Sequence, residues 1–276
     1  VILPEPAYVS YAACIVLAGA VIQPVATHSE SGFTLQAADV ARAITPATRA
    51  ILLGFPNNPT GAVLEPQEAQ QIVDLAVEHD LLIISDEIYH RLVYGAEHVC
   101  VAALKGARER TVLINGFSKA YAMTGWRLGF ACAPAEVIEA MMKIHQYIIM
   151  SAPTVAQYAG IEALDHGEQD VRAMVAEYDR RRRLIVAGLN DIGLTCPEPR
   201  GAFYAFPSIA VTGMSSEDFS LKLLEEEHVA VIAGTAFGDH GEGHVRMCYA
   251  TAYEQIEEAL VRMGRFVERH RDGRQP

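Results

Sequence analysis

The chain has 276 residues, and its 22 Lys and Arg against 34 Asp and Glu give a formal net charge of −12. That balance argues against a nucleic-acid backbone or an anionic membrane as the main partner, though a local basic pocket can still hold a small anion. With 51% hydrophobic and 20% charged residues, it reads as a soluble globular protein of one large domain or two unequal ones.

Val1-Ile-Leu-Pro4 reads as the end of a core strand. With neither an initiator Met nor a basic stretch before it, the expectation is a sequence that begins inside a domain. Ala50-Ile-Leu-Leu-Gly-Phe55 predicts a strand, closed by the turn-forming Pro56-Asn-Asn-Pro-Thr-Gly61. A helix follows from Pro66 to His79, with Ala69, Ile72, Val73 and Ala76 on one stripe. Leu81-Leu-Ile-Ile-Ser85 is apolar enough for a strand buried on both faces. Thr111 to Asn115 and Leu128 to Ala133 supply two more strands. This alternation specifies an α/β fold with a mostly parallel sheet and helices on both faces. Residues 134 to 190 read as helical, interrupted at Pro153, and Glu177-Tyr-Asp-Arg-Arg-Arg-Arg183 reads as a solvated helix face. Beyond Gly193 come strands at Ala202–Phe206, Val229–Ile232 and His244–Tyr249, with helices near 215–227 and 252–269, the pattern of a smaller α+β domain. The expected division is a large domain over 1–165, followed by an interdomain helix and small domain over 166–276.

Five cysteines, Cys14, Cys100, Cys132, Cys196 and Cys248, are scattered without a C-x-x-C, as expected of reduced thiols in a cytoplasmic protein. No apolar run has the roughly 18 residues of a membrane span, and no metal-ligand spacing is present. Leu81-Leu-Ile-Ile-Ser-Asp-Glu87 has the form of a Walker B strand, but no G-x-x-x-x-G-K-[ST] loop accompanies it. Gly116-Phe-Ser-Lys-Ala120 approaches a nucleophile elbow, yet its last position is Ala and no oxyanion loop is visible.

A third constellation joins Asn58, Asp86, Tyr89, Ser118, Lys119, Arg127 and Arg246, most of them at predicted strand ends where open α/β sheets bind ligands. A lysine shielded there can attack a carbonyl to form a Schiff base. Asp86 can pair with a protonated ring nitrogen, and Ser118 with Arg127 suits a phosphate. Each residue also has a plainer reading: Asp86 as a cap, Asn58 as a turn residue, Tyr89 as a packed aromatic, Arg127 as a surface charge.

Asn58-Pro-Thr-Gly61, Ser85-Asp-Glu-Ile-Tyr89, Ser118-Lys-Ala-Tyr-Ala-Met-Thr-Gly-Trp-Arg127 and Gly243-His-Val-Arg-Met-Cys-Tyr-Ala250 together resemble the class I/II aminotransferases, the aspartate-aminotransferase-like group of fold type I. The resemblance runs from Pro4 to about Val267. It implies a seven-stranded type of large-domain sheet, pyridoxal 5'-phosphate as cofactor, and α-amino transfer between an amino acid and a 2-oxo acid by a ping-pong route. It also implies a homodimer with a shared active site; the charge balance and the lack of a spanning apolar run set the expectation of no nucleic-acid and no membrane partner. On that resemblance Lys119 is the Schiff-base lysine and proton carrier, and Asp86 holds the pyridine nitrogen protonated. Asn58 and Tyr89 donate to the cofactor's O3′ and lower the imine pKa, while Ser118 and Arg127 take the phosphate. Arg246, with Asn58 beside it, binds the substrate carboxylate, and the Tyr8 ring stacks on the cofactor.

Many relatives carry a serine three residues before the lysine, where this chain has Gly116, so a modified phosphate cup is expected. A segment of about a hundred residues is expected ahead of Val1 on family grounds. Gln146-Tyr-Ile-Ile-Met150 lacks the arginine of one distal-carboxylate clamp. A C–S or β-lyase on the same fold, and a cofactor-binding module of a transcriptional regulator, are the alternative functions.

Overall fold

The computed structural model describes residues 1–271. Six strands form the main sheet: β1 (Ile2–Glu5), β2 (Gln23–Ala26), β3 (Ala50–Gly54), β4 (Leu82–Asp86), β5 (Thr111–Gly116) and β6 (Gly129–Cys132). Their order is β2-β1-β3-β4-β5-β6, parallel throughout except for the antiparallel edge strand β6. The sheet is thus one strand short of the seven-stranded type among the described residues. Continuous apolar sequence at Ile51, Leu53 and Ile83 reflects burial between the sheet and α2 (Ala37–Ala43) with α3 (Pro66–Glu78). On the opposite face, α1 (Val9–Leu17) covers Leu3 and Leu52.

The helical stretch after Pro134 resolves into α4 (Ala135–Ile148), α5 (Thr154–His166) and the long α6 (Glu168–Asp191). Pro153 stands immediately before α5, where a proline's missing N–H costs nothing. Beyond α6 lies a second, three-stranded antiparallel sheet, ordered β7 (Tyr204–Ala205), β9 (Val245–Cys248), β8 (Ile232–Ala233). It packs with α6, α7 (Ser216–Glu227) and α8 (Tyr253–His270) around Phe219, Tyr249 and Phe266. Tyr89, Leu92 and Tyr94 from the loop after β4 join that same core, which ties the two sheets together. No helix among the described residues is long and apolar enough to cross a membrane.

Three sequence expectations shift. The elements α1, β2 and α2 went unforeseen, because α1 is apolar almost all round and the other two are only four and seven residues long. The strand expected at Val229–Ile232 begins only at Ile232; Val229 is buried in the core without a ladder partner. The arginine run on α6 is not uniformly solvated. Arg180, Arg181 and Arg183 pair with Glu177 and Asp179 on the surface, but Arg182 is buried against Tyr94 and binds Asp179, Glu198 and the Pro199 carbonyl.

Candidate active site

The carboxyl ends of the central strands open onto a cavity of about 500 Å³. Tyr8, Asn58, Asp86, Tyr89, Ser118, Lys119, Arg127 and Arg246 all line it. Tyr11, Ile114, Thr124 and Tyr204, none of which the sequence singled out, line it too.

Asn58 reaches the cavity because its neighbour Asn57 organises the turn after β3. Asn57 Oδ1 accepts from the Thr60 backbone N–H at 3.1 Å and the Thr60 hydroxyl at 2.9 Å, and the Asn57 N–H closes the turn on the Ala62 carbonyl at 2.8 Å. Asn58 Oδ1 accepts from Arg246 Nη1 at 2.8 Å, which directs the Asn58 amide nitrogen away from the arginine. Arg246 projects from β9 with its guanidinium 4.5 Å from the Tyr204 ring centroid and 4.9 Å from that of Phe237. Its buried Nε has no protein partner among the described residues.

Asp86 ends β4. Its Oδ1 accepts from the Ile88 backbone N–H at 3.1 Å, so the capping role open to it from sequence is part of its work. Its Oδ2 accepts from the Tyr11 hydroxyl at 2.8 Å. Burial pushes the Asp86 carboxyl above the usual aspartate range, opposed by those two hydrogen bonds and by Lys119. Tyr11 owes its place to Gly54, which faces Asp86 in the β3–β4 ladder: a Cβ on Gly54 would lie 2.6 Å from the Tyr11 hydroxyl oxygen. Tyr11 follows Tyr8 at helical spacing, and the two rings meet edge to face at 5.5 Å. That i, i+3 spacing is the signal that could have found it.

Lys119 lies in the turn after β5, its Nζ 5.9 Å from the centroid of the Tyr89 ring and 5.6 Å from that of Phe203. The turn is held by the Thr124 hydroxyl donating to the Ser118 carbonyl at 2.9 Å, and by Arg127 Nη1 donating to the Thr124 carbonyl at 2.8 Å. Gly116 has a packing reason. It faces Gly129 across the β5–β6 ladder, and a Cβ on it would lie 2.9 Å from both the Gly129 Cα and the Leu128 carbonyl oxygen. A side chain at this position has no room unless the paired strands move apart.

Comparison with known proteins identifies the family. The family model for aminotransferase class I and II matches residues 1–263. The putative aminotransferase YugH of Bacillus subtilis is 52% identical over 269 residues, covering 98% of this chain and 70% of that protein. An aspartate aminotransferase of Pyrococcus abyssi is 47% identical over 266 residues, covering 95% of this chain and 68% of its own length. The crystal structure of an aromatic aminotransferase from Pyrococcus horikoshii superposes with a TM-score of 0.95 at 47% identity, covering 97% of this chain and 72% of that one. Family match, shared fold and level of identity lead to one conclusion: the chain belongs to the class I and II aminotransferases, pyridoxal-phosphate-dependent transaminases of fold type I.

Proposed function

We propose that this chain moves an α-amino group between an amino acid and a 2-oxo acid in two successive half-reactions, with Lys119 as the Schiff-base lysine and the eight cavity residues in the roles their motifs imply. The observation that carries this reading is one cavity lined by a lysine, a half-buried carboxylate and two arginines.

The donor set fits pyridoxal phosphate. Burial makes an ionised Asp86 costly unless a cation pairs with it, and a protonated pyridine nitrogen is such a cation. The unpartnered Nε of Arg246 leaves a buried donor that a substrate carboxylate can satisfy. When bound, the cofactor supplies an aldehyde carbon for amines and an electron-withdrawing ring.

Asp86 keeps a proton on the ring nitrogen, and Tyr11 fixes the carboxylate that does so. Lys119 Nζ would supply the amine that holds the cofactor and, when not so engaged, would carry a proton to and from the substrate Cα. Ser118 and Arg127 bind the phosphate, arginine offering the planar fork that suits it. The Asn58 amide and the Tyr89 hydroxyl would donate to the cofactor's ring oxygen, and the Tyr8 ring would stack on it. Arg246 grips the α-carboxylate.

A homodimer with a shared site is part of the same reading. Exposed apolar side chains along α4 and α5, among them Ile144, Tyr147, Ile148, Val155 and Tyr158, support it. So is a cytoplasmic location, in keeping with five free cysteines, and the division into units 1–165 and 166–276. The test is to add pyridoxal phosphate, follow its absorbance, reduce with borohydride and map the labelled peptide. Label on Lys119 is expected; no uptake, or label elsewhere, overturns the reading.

A further inference from the structure

Tyr204 stands where the two sheets meet. It belongs to β7 of the small sheet, yet its hydroxyl lies 2.9 Å from that of Tyr89, which follows β4 of the large one. Both side chains are buried, and each hydroxyl has the other as its only protein hydrogen-bond partner among the described residues. The opposite side of Tyr204 is occupied: its ring carries the Arg246 guanidinium at 4.5 Å. One side chain therefore touches both a proposed cofactor donor and the proposed substrate clamp.

A phenol has a single proton to give. Two facing hydroxyls use one proton between them and leave the other free, on whichever oxygen accepts. Were Tyr89 to donate to Tyr204, it would have nothing left to offer the cavity. When Tyr204 donates, Tyr89 accepts with its lone pair and its own proton is free to point inward. Burial raises both hydroxyls above the ordinary tyrosine range, so each keeps its proton at working pH. The other charged or titratable groups around the pair are Arg246, Cys248, Tyr8, Tyr11 and Lys119.

We infer that Tyr204 is a positioning residue for transamination: its hydroxyl donates to Tyr89, committing the Tyr89 proton to the cofactor oxygen, and its ring sets Arg246 for the substrate carboxylate. The inference rests on the roles proposed above for Tyr89 and Arg246.

The test uses the full chain loaded with pyridoxal phosphate. Absorbance of the bound cofactor is titrated against pH, and half-reaction kinetics are measured with L-phenylalanine and L-aspartate. Tyr204→Phe keeps the ring and removes the hydroxyl. The spectral pKa should rise by about half a pH unit, the loss of one oriented hydrogen bond, in the same direction as Tyr89→Phe and by less. KM for the amino acid should hold. Tyr204→Leu should give the same spectral shift and raise KM roughly tenfold, through loss of the ring under Arg246. The Tyr89→Phe/Tyr204→Phe double variant should shift no further than Tyr89→Phe alone, because the Tyr204 hydroxyl acts through Tyr89. A wild-type spectral pKa in Tyr204→Phe, or a double variant that shifts further than Tyr89→Phe, overturns the inference while leaving the proposed function standing. Wild-type protein that takes up no cofactor, or a Lys119→Ala variant with an unchanged pH-dependent spectrum, overturns the proposed function and this inference with it.

Discussion

The floor and the rim of the cavity are built in opposite ways. On the floor, Asn58 and Tyr89 are buried, and each is braced by a partner from the small sheet: Arg246 for Asn58, Tyr204 for Tyr89. The rim carries Ser118, Lys119, Thr124 and Arg127 on a short loop, with Arg127 itself exposed. This loop also carries backbone strain. Ala122 and Arg127 adopt positive φ of 52° and 56°, a conformation that costs a non-glycine residue about 1 kcal/mol. The difference follows from what each group must do. Hydroxyls and amides that set a proton's direction need a dry, fixed frame. The exposed Arg127 is cheap to keep in water until an anionic ligand arrives.

The strongest way to break this comparison is Lys119→Ala. Loss of the rim amine should lower kcat roughly 10⁴-fold, the upper end of what a positioned acid–base group supplies, with the fold intact by circular dichroism. Arg246→Ala comes next. It removes the clamp and the bond to Asn58, and KM should rise on the order of 100-fold, a charge-assisted hydrogen bond's worth. Gly116→Ser forces a side chain between paired strands, and urea unfolding should show a loss of about 2 kcal/mol. On the rim, Arg127→Gln should weaken cofactor binding roughly tenfold in a fluorescence titration, with little change in stability because the side chain is exposed.

Asp86→Asn gives the smallest effect and a reversed sign. The raised carboxyl pKa means the folded chain holds that proton more tightly than the unfolded one. Stability therefore falls as pH climbs from the ordinary value of 3.8 through the raised one, and above that the cost is present in full. Without cofactor, Asp86→Asn should melt about 2 °C higher than wild type at pH 7, the gap closing as pH falls toward the ordinary aspartate value. With cofactor, the order of the two melting temperatures should invert.

Much of the site was legible because its residues follow short strands with strong signals. Apolar runs at Ala50, Leu81 and Thr111, each ending in turn chemistry, deliver Asn58, Asp86 and Lys119 to one edge of a sheet. What was not legible depends on contacts made far along the chain. Tyr204 meets Tyr89 across 115 positions, and nothing around it announces a polar task. Tyr11 reaches Asp86 across 75 positions, and its i, i+3 spacing from Tyr8 is faint on a helix that is apolar almost all round. Arg182 looks like its three neighbours in sequence, and only the fold separates it from them. Gly116 invited a reading about a lost hydroxyl, whereas the nearest constraint on it is the backbone of β6.

The empty space at Gly54 has a consequence for substitution. Because a methyl group there would strike the Tyr11 hydroxyl, positions 54 and 11 are sterically coupled although 42 residues lie between them. A side chain at residue 54 therefore requires Tyr11 to shift or shrink, and either change disturbs the phenol on Asp86. The coupling between the two positions is set by one missing carbon atom.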